Sequence, residues 1–198
     1  MSTFMRILVL LLAVSSAWAA SPTPNVYRGM VTAIDGKQIT VQGDEGKSRS
    51  FVLLKDWTVT VLKPVDVEAI KPGSFIGTAE VPQADGTGRS LEVHVFPPGV
   101  KAGEGHYDWD LQKGSKMTNG TVGTVVAGAS GRELEVSYPT GKRKITVPKN
   151  VPIVEMTPGS QSQVKVGIPV FLLLVNQPDG SVGARGVSMG VNGARPPM

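Results

Sequence analysis

The sequence predicts an all-β protein made of small closed barrels, and three observations carry that prediction. Glycine and proline account for 24 and 15 of the 198 residues, about a fifth of the chain, and both are costly inside helices. The apolar runs are short, rich in valine and bounded by turn residues, as strands are. The turn signals of one half return in the same order in the other, which is the mark of a repeated unit. A hydrophobic content of 40% argues against wholesale disorder. With no cysteine, a disulfide scaffold, a thiolate nucleophile and any Cys-ligated zinc or iron–sulfur centre are excluded. Two histidines speak against a multi-histidine metal centre.

The first element is an export signal over residues 1–19. Arg6 supplies the positive start, Ile7 to Val14 is an apolar run of eight, and Ala17-Trp18-Ala19 presents small residues at a cleavage site. The run is too short for a bilayer core of about 30 Å. Cleavage is expected after Ala19, which removes Arg6 and lowers the net charge from +4 to +3. No later stretch approaches the roughly 18 apolar residues of a spanning helix. The product is therefore expected to be soluble and periplasmic or secreted.

In the first half, strands are predicted at 27–34, 38–42, 49–54, 58–63, 74–81 and 90–96. Asp35-Gly36 and Asp85-Gly86 mark hairpin turns, and 65–70 is expected to form one helical turn. In the second half, strands are predicted at 121–127, 133–138, 142–147, 153–157, 170–176 and 182–188. Arg28-Gly29-Met30-Val31 answers Asn119-Gly120-Thr121-Val122, and Gly46-Lys47 answers Gly141-Lys142. Lys71-Pro72-Gly73 answers Lys165-Val166-Gly167. Val81 to Gly86 answers Val175 to Gly180 at an offset of 94. Five or six short strands must cover their own edges, and closure into a barrel does so economically. The expectation is two tandem OB-like barrels, at 25–97 and 118–192, with small β-sandwiches as the alternative. An inter-repeat segment, 98–117, and a tail, 193–198, complete the division.

The segment 98–117 is read as neither linker nor strand. It gathers His106, Tyr107, Asp108, Trp109 and Asp110 between glycines. One reading makes Tyr107, Trp109 and Leu111 a staple onto the barrels, since aromatics bury large areas. The other makes residues 106–110 a ligand-facing loop. A metal site is a further candidate. His106, Asp108 and Asp110 fall at i, i+2, i+4, one face of an extended chain, and Glu92 with His94 forms a similar pair. Imidazole plus carboxylate suits a divalent transition metal. The sequence carries none of the motifs G-x-S-x-G, H-E-x-x-H or G-x-x-x-x-G-K-[ST], and no enzymatic activity is expected. Arg132, Lys142, Arg143 and Lys144 could form a basic edge, but aromatics are only 6%, and nucleic-acid stacking needs them exposed.

The run Leu91 to Pro97, then Gly103-Glu104-Gly105-His106, Trp109-Asp110-Leu111-Gln112 and Met117-Thr118-Asn119, resembles a group of uncharacterised exported proteobacterial proteins. The stretches from Gln177-Pro178-Asp179-Gly180 to Pro196-Pro197-Met198 are similar to theirs as well. The resemblance implies a duplicated small β-barrel domain and export. It implies no activity and no site residue. Some such proteins carry names linked to metal transport, for which this chain could be only a soluble accessory. The expected function is thus an exported, non-enzymatic binding or interaction module for a periplasmic protein or small ligand. The alternatives are a soluble periplasmic metal-binding accessory and a polyanion-binding OB-like module, with nucleic acid disfavoured as a partner.

Overall fold

The computed structural model describes residues 25–128 and 131–198. The export signal expected at 1–19 and the tip of one predicted hairpin lie outside the described residues. Among the described residues there are thirteen strands. They are β1 (Asn25–Ile34), β2 (Gln38–Gly43), β3 (Ser48–Pro64), β4 (Phe75–Pro82), β5 (Gly88–Ser90) and β6 (Val93–Val95), followed by β7 (Gly105–Asp108) and β8 (Lys116–Gly128). β9 (Gly131–Tyr138), β10 (Gly141–Pro148), β11 (Ile153–Gly159), β12 (Pro169–Asn176) and β13 (Val182–Gly190) complete the set. Two 3-10 turns, Val67–Ala69 and Gln161–Gln163, follow β3 and β11. Among the described residues no helix is long and apolar enough to cross a membrane. The all-β barrel prediction holds.

The pairings close two five-stranded rings. In the first, β1, β2 and β3 follow one another, β13 lies parallel to β3, and β12 returns to β1. Numbered in chain order, that is 1-2-3-5-4, the partly open Greek-key closure of an OB-like barrel. In the second, β8, β9 and β10 follow one another, β5 lies parallel to β10, and β4 returns to β8.

Neither ring coincides with the boundaries expected from the sequence. Segments 25–97 and 118–192 each contribute to both barrels, because the closing hairpin of each ring comes from the other half of the chain. The cause lies in β3. Predicted as two strands, it is one strand of 17 residues that bends at Asp56, whose φ is 62°. Its far end leaves the first ring and pairs antiparallel with β11, from Val59↔Gly159 to Pro64↔Val154. The chain is thereby delivered to the second barrel before β4 begins, and β11 makes the reverse delivery before β12.

The two rings agree in local detail. Gly73 donates its N–H to Val122 O at 2.8 Å, and Val122 donates to Ser74 O at 2.8 Å; Gly167 donates to Val31 O at 2.8 Å, and Val31 to Ile168 O at 3.0 Å. A register shift follows Val31 in the β1–β2 pair and Val122 in the β8–β9 pair. Asp85 and Asp179 each accept the N–H of the residue two positions on, Thr87 and Ser181, both at 2.9 Å. These are Asx-type turns that satisfy backbone donors locally.

Each ring has its own core. Val31, Ile39, Phe51, Val59, Leu172 and Val187 are among the buried residues of the first, and Ile76, Val93, Leu134, Val136, Ile145 and Val147 among those of the second. A third cluster lies between them and includes Leu62, Trp109, Met117, Val154, Phe171 and Met198. The tail at 193–198 therefore ends in a buried side chain. The 98–117 segment, expected to contain no strand, forms β7 and the start of β8, which pair with each other. The predicted strand at 90–96 is broken at Leu91-Glu92, where Leu91 donates to Ala79 O at 2.7 Å.

Exchanged hairpins make the two barrels one folding unit. Leu172→Ala opens a cavity in the first core and Ile145→Ala in the second, and each should cost about 2–5 kcal/mol. Urea unfolding followed by amide hydrogen exchange should show protection lost together in both barrels for either variant. Separate loss in the two barrels would mean that they are independent.

Candidate functional site

A cavity of about 720 Å³ lies between the barrels, within the range of small-molecule sites. The second barrel contributes His94, Met117 and Asn119; the first contributes Phe171, Val187 and Ser188. The distal half of β3 and its partner β11 contribute Thr58–Thr60 and Met156–Pro158. Tyr107, Trp109, residues between Phe96 and Gly103, Leu173 to Val175, Arg185, Gly186 and Met198 also line it.

The chemistry sits on one row of the sheet. His94 on β6 pairs with Gly77 on β4, and Gly77 pairs with Asn119 on β8. Paired residues on neighbouring strands share a face, so His94 and Asn119 flank the glycine. A Cβ on Gly77 would lie 2.0 Å from His94 Nε2 and 2.3 Å from Asn119 Oδ1. Glycine is therefore what makes room for both polar atoms.

Glu92 holds the histidine. It is fully buried, because the break between β5 and β6 turns its side chain into the sheet. Its Oε1 accepts the Ala79 N–H at 2.6 Å, and its Oε2 lies 3.1 Å from His94 Nδ1. A carboxylate only accepts, so Nδ1 donates, and in the neutral form of the ring Nε2 is then the acceptor. Asn119 is oriented as firmly. Its Nδ2 donates to Gly103 O at 3.0 Å and Ala102 O at 3.3 Å and lies 3.1 Å from Tyr107 Oη. The two carbonyls can only accept, so the amide nitrogen must face them, and Oδ1 is left buried with no partner. The indole Nε1 of Trp109 is likewise buried with no partner.

The residues singled out in the sequence are divided by this arrangement. Tyr107 and Trp109 line the cavity and also staple the segment, with Trp109 stacked on Phe171 at 6.4 Å. Burial raises the Tyr107 hydroxyl above its ordinary pKa. Asp110 forms a two-pronged pair with Arg28 at 2.7 and 3.0 Å. Arg28 also donates to the Met198 carbonyl and lies over the Trp109 and Phe171 rings. Asp108 is exposed and pairs with Lys116, which holds its carboxyl below the ordinary range. His106 points away from the cavity, to the opposite face of β7. The five residues considered for a metal, Glu92, His94, His106, Asp108 and Asp110, do not converge. Among the described residues no group of three or more His, Asp or Glu could hold a metal ion. The alternation i, i+2, i+4 ends with β7 at Asp108, so Asp110 leaves the face.

A second buried polar group lies on the far face of the row. Glu80 is fully buried and paired with Arg143. Burial nevertheless raises its carboxyl above the ordinary value, against the opposing pull of that guanidinium. His106 Nδ1 lies 2.8 Å from Thr118 Oγ1 and 3.7 Å from Glu80 Oε1, so the hydroxyl is its hydrogen-bond partner. The ring stacks on Tyr138 at 6.1 Å. The expected basic edge is mostly spent on carboxylates: Arg132 on Glu68, Lys142 on Glu135 and Arg143 on Glu80.

Gly77, Asn119, Phe171 and Ser188 were not singled out in the sequence. Asn119 carried a signal, as a polar side chain opening a strand at the place that Arg28 takes in the other half. Comparison with protein-family models, with curated proteins and with solved structures returns no match.

Burial, with help from Arg143 and Lys116, lowers the His106 pKa below 6.5. The unfolded chain therefore takes up a proton that the folded chain resists, and stability falls as pH drops through 6.5. His106→Gln removes this proton linkage while keeping a hydrogen-bonding side chain. Thermal melts from pH 7.5 to 5 should show the wild type losing Tm relative to the variant. A constant difference between the two would show that His106 is not the group responsible.

Proposed function

We propose that this chain is an exported binding module whose ligand, a small and largely apolar molecule, seats in the cavity between the two barrels. The observation that carries the reading is the pair of oriented acceptors, His94 Nε2 and Asn119 Oδ1, set among Trp109, Phe171 and Val187. Binding sites pair an apolar lining with a few well-placed polar groups. Asn119 and Trp109, each more than nine-tenths buried, hold polar atoms without a partner, and such atoms are costly unless a ligand meets them.

Export rests on the charged start, apolar run and Ala-x-Ala site of residues 1–19. The correspondence of hydrogen bonds, register shifts and Asx turns between the rings supports their origin in one duplicated unit that has exchanged its closing hairpins. On that reading the cavity is a by-product of pairing two copies, later given polar groups on one side. The pairing of Arg132, Lys142 and Arg143 with carboxylates removes most of the support for a polyanion partner, and the dispersal of the two histidines does the same for a metal.

The test uses a fluorescent apolar amine, 1-aminoanthracene. It should bind the full chain one-to-one with a rise in emission. Ser188→Phe, which fills the cavity from the first barrel, should abolish that rise while leaving the far-UV circular dichroism unchanged. A dye that stays dark with the wild type, or that binds the filled variant equally well, overturns the proposal.

A further inference from the structure

Resting on the cavity proposed above, the geometry points to a neutral amide as the ligand's polar group: an N–H donor and a carbonyl acceptor side by side on an apolar body. Three buried atoms set this requirement. Asn119 Oδ1 accepts and has no partner, because its own amide nitrogen is committed to Ala102 O and Gly103 O. His94 Nε2 accepts in the neutral form of the ring, whose Nδ1–H is donated to Glu92. Trp109 Nε1 donates and has no partner, and an indole nitrogen can do nothing else.

Two acceptors and one donor line the same cavity. The acceptors stand together across Gly77, as an –NH2 group or a pair of N–H donors would need. The indole donor suits the carbonyl next to such a group. A carboxylate or phosphate would bring its lone pairs against Asn119 Oδ1 and His94 Nε2, with Glu92 buried behind the imidazole. Of the nearby cations, Arg28 is already held by Asp110 and the Met198 carbonyl, and Arg185, which lines the cavity from β13 of the first barrel, is exposed to solvent. A purely apolar ligand would leave all three polar atoms desolvated and unpaired, which costs affinity. Gly77 is the specificity-determining position, since any side chain there collides with both acceptors and displaces them.

The test is displacement of 1-aminoanthracene by three ligands with one body: 2-naphthamide, 2-acetylnaphthalene and 2-naphthoate. The amide and the methyl ketone are close in shape and differ in having –NH2 or –CH3. The amide should displace the dye at about one-tenth of the ketone's concentration or less, as expected when one added hydrogen bond is satisfied in a buried site. The naphthoate should be weaker than the amide. Gly77→Ala should bring amide and ketone to the same value, with the ketone itself little changed. Asn119→Leu, which removes the orphan carbonyl at similar volume, should do the same and covers the case in which the glycine variant folds poorly.

Equal displacement by amide and ketone in the wild type, tighter binding of the naphthoate, or an amide preference that survives both substitutions each overturns this inference. In all three outcomes the cavity still takes the apolar body, so the binding proposal stands. Dye bound to the wild type that none of the three displaces overturns the inference, and a dye that does not bind at all overturns both readings.

Discussion

Six antiparallel residue pairs between β3 and β11, from Val59↔Gly159 to Pro64↔Val154, are the constraint on which the remaining structure depends. A strand of 17 residues is too long for one side of a small barrel, and its surplus backbone groups must be paired somewhere. β3 places them on β11 and, on its other side, on β13 as far as Leu62. The two rings are thus sewn together along a single line of strands. Away from that line their walls separate, and the space between them is the cavity. The exchange of closing hairpins follows from the same line, since each long strand ends beside the ring that its chain does not start in.

The segment that follows β6 occupies what this arrangement leaves open. β7 pairs with the start of β8, which would otherwise present an edge. Asp110 then reaches Arg28 on the first barrel, and Asn119 gathers the carbonyls of Ala102 and Gly103. Trp109 and Phe171 stack across the gap. Residues 98–117 are accordingly structural and cavity-lining at once, because the side chains that anchor the segment to both barrels are those that close the cavity. Tyr107 and Trp109 thus combine the staple expected from the sequence with a place on the cavity wall.

Strand-level organisation was legible in the sequence because it is local. Val-rich alternation and Asp-Gly turns report on neighbouring residues, and most predicted strands are observed, although 49–54 and 58–63 are one strand, 90–96 is broken and β7 was not expected. Which hairpin closes which ring is a property of contacts about a hundred residues apart, and no local pattern records it. The division into 25–97 and 118–192 follows the order of the turn signals, and neither ring coincides with it. The site was legible in half. Tyr107 and Trp109 stood out as aromatics in a glycine-rich stretch, and Glu92-x-His94 as paired chemistry on one strand. Gly77 and Asn119 did not, since a glycine and an asparagine near turn-rich sequence read as ordinary punctuation. Their meaning comes from lying on one row with His94, across three strands that are distant in the chain.

Comparison of the two barrels separates what the fold requires from what the site adds. The row His94–Gly77–Asn119 of the second barrel has its counterpart in Ser188–Phe171–Arg28 of the first, paired in the same way. Where the second barrel buries Thr78, Glu80 and Glu92, the corresponding places in the first hold Leu172, Leu174 and Gly186. The first barrel closes with apolar side chains at these positions, so closure does not call for polar ones. Each buried, unpaired polar atom costs about 1–3 kcal/mol, and a carboxylate such as Glu92 costs more unless it is fully hydrogen-bonded. A network that is expensive and confined to one of two equivalent barrels is not called for by closure, yet Thr78 and Glu80 face away from the Gly77 side of β4, and only Glu92, through His94, meets the cavity wall. Glu92 is thereby the link between this network and the cavity, because it fixes the His94 ring on the wall of the proposed binding site.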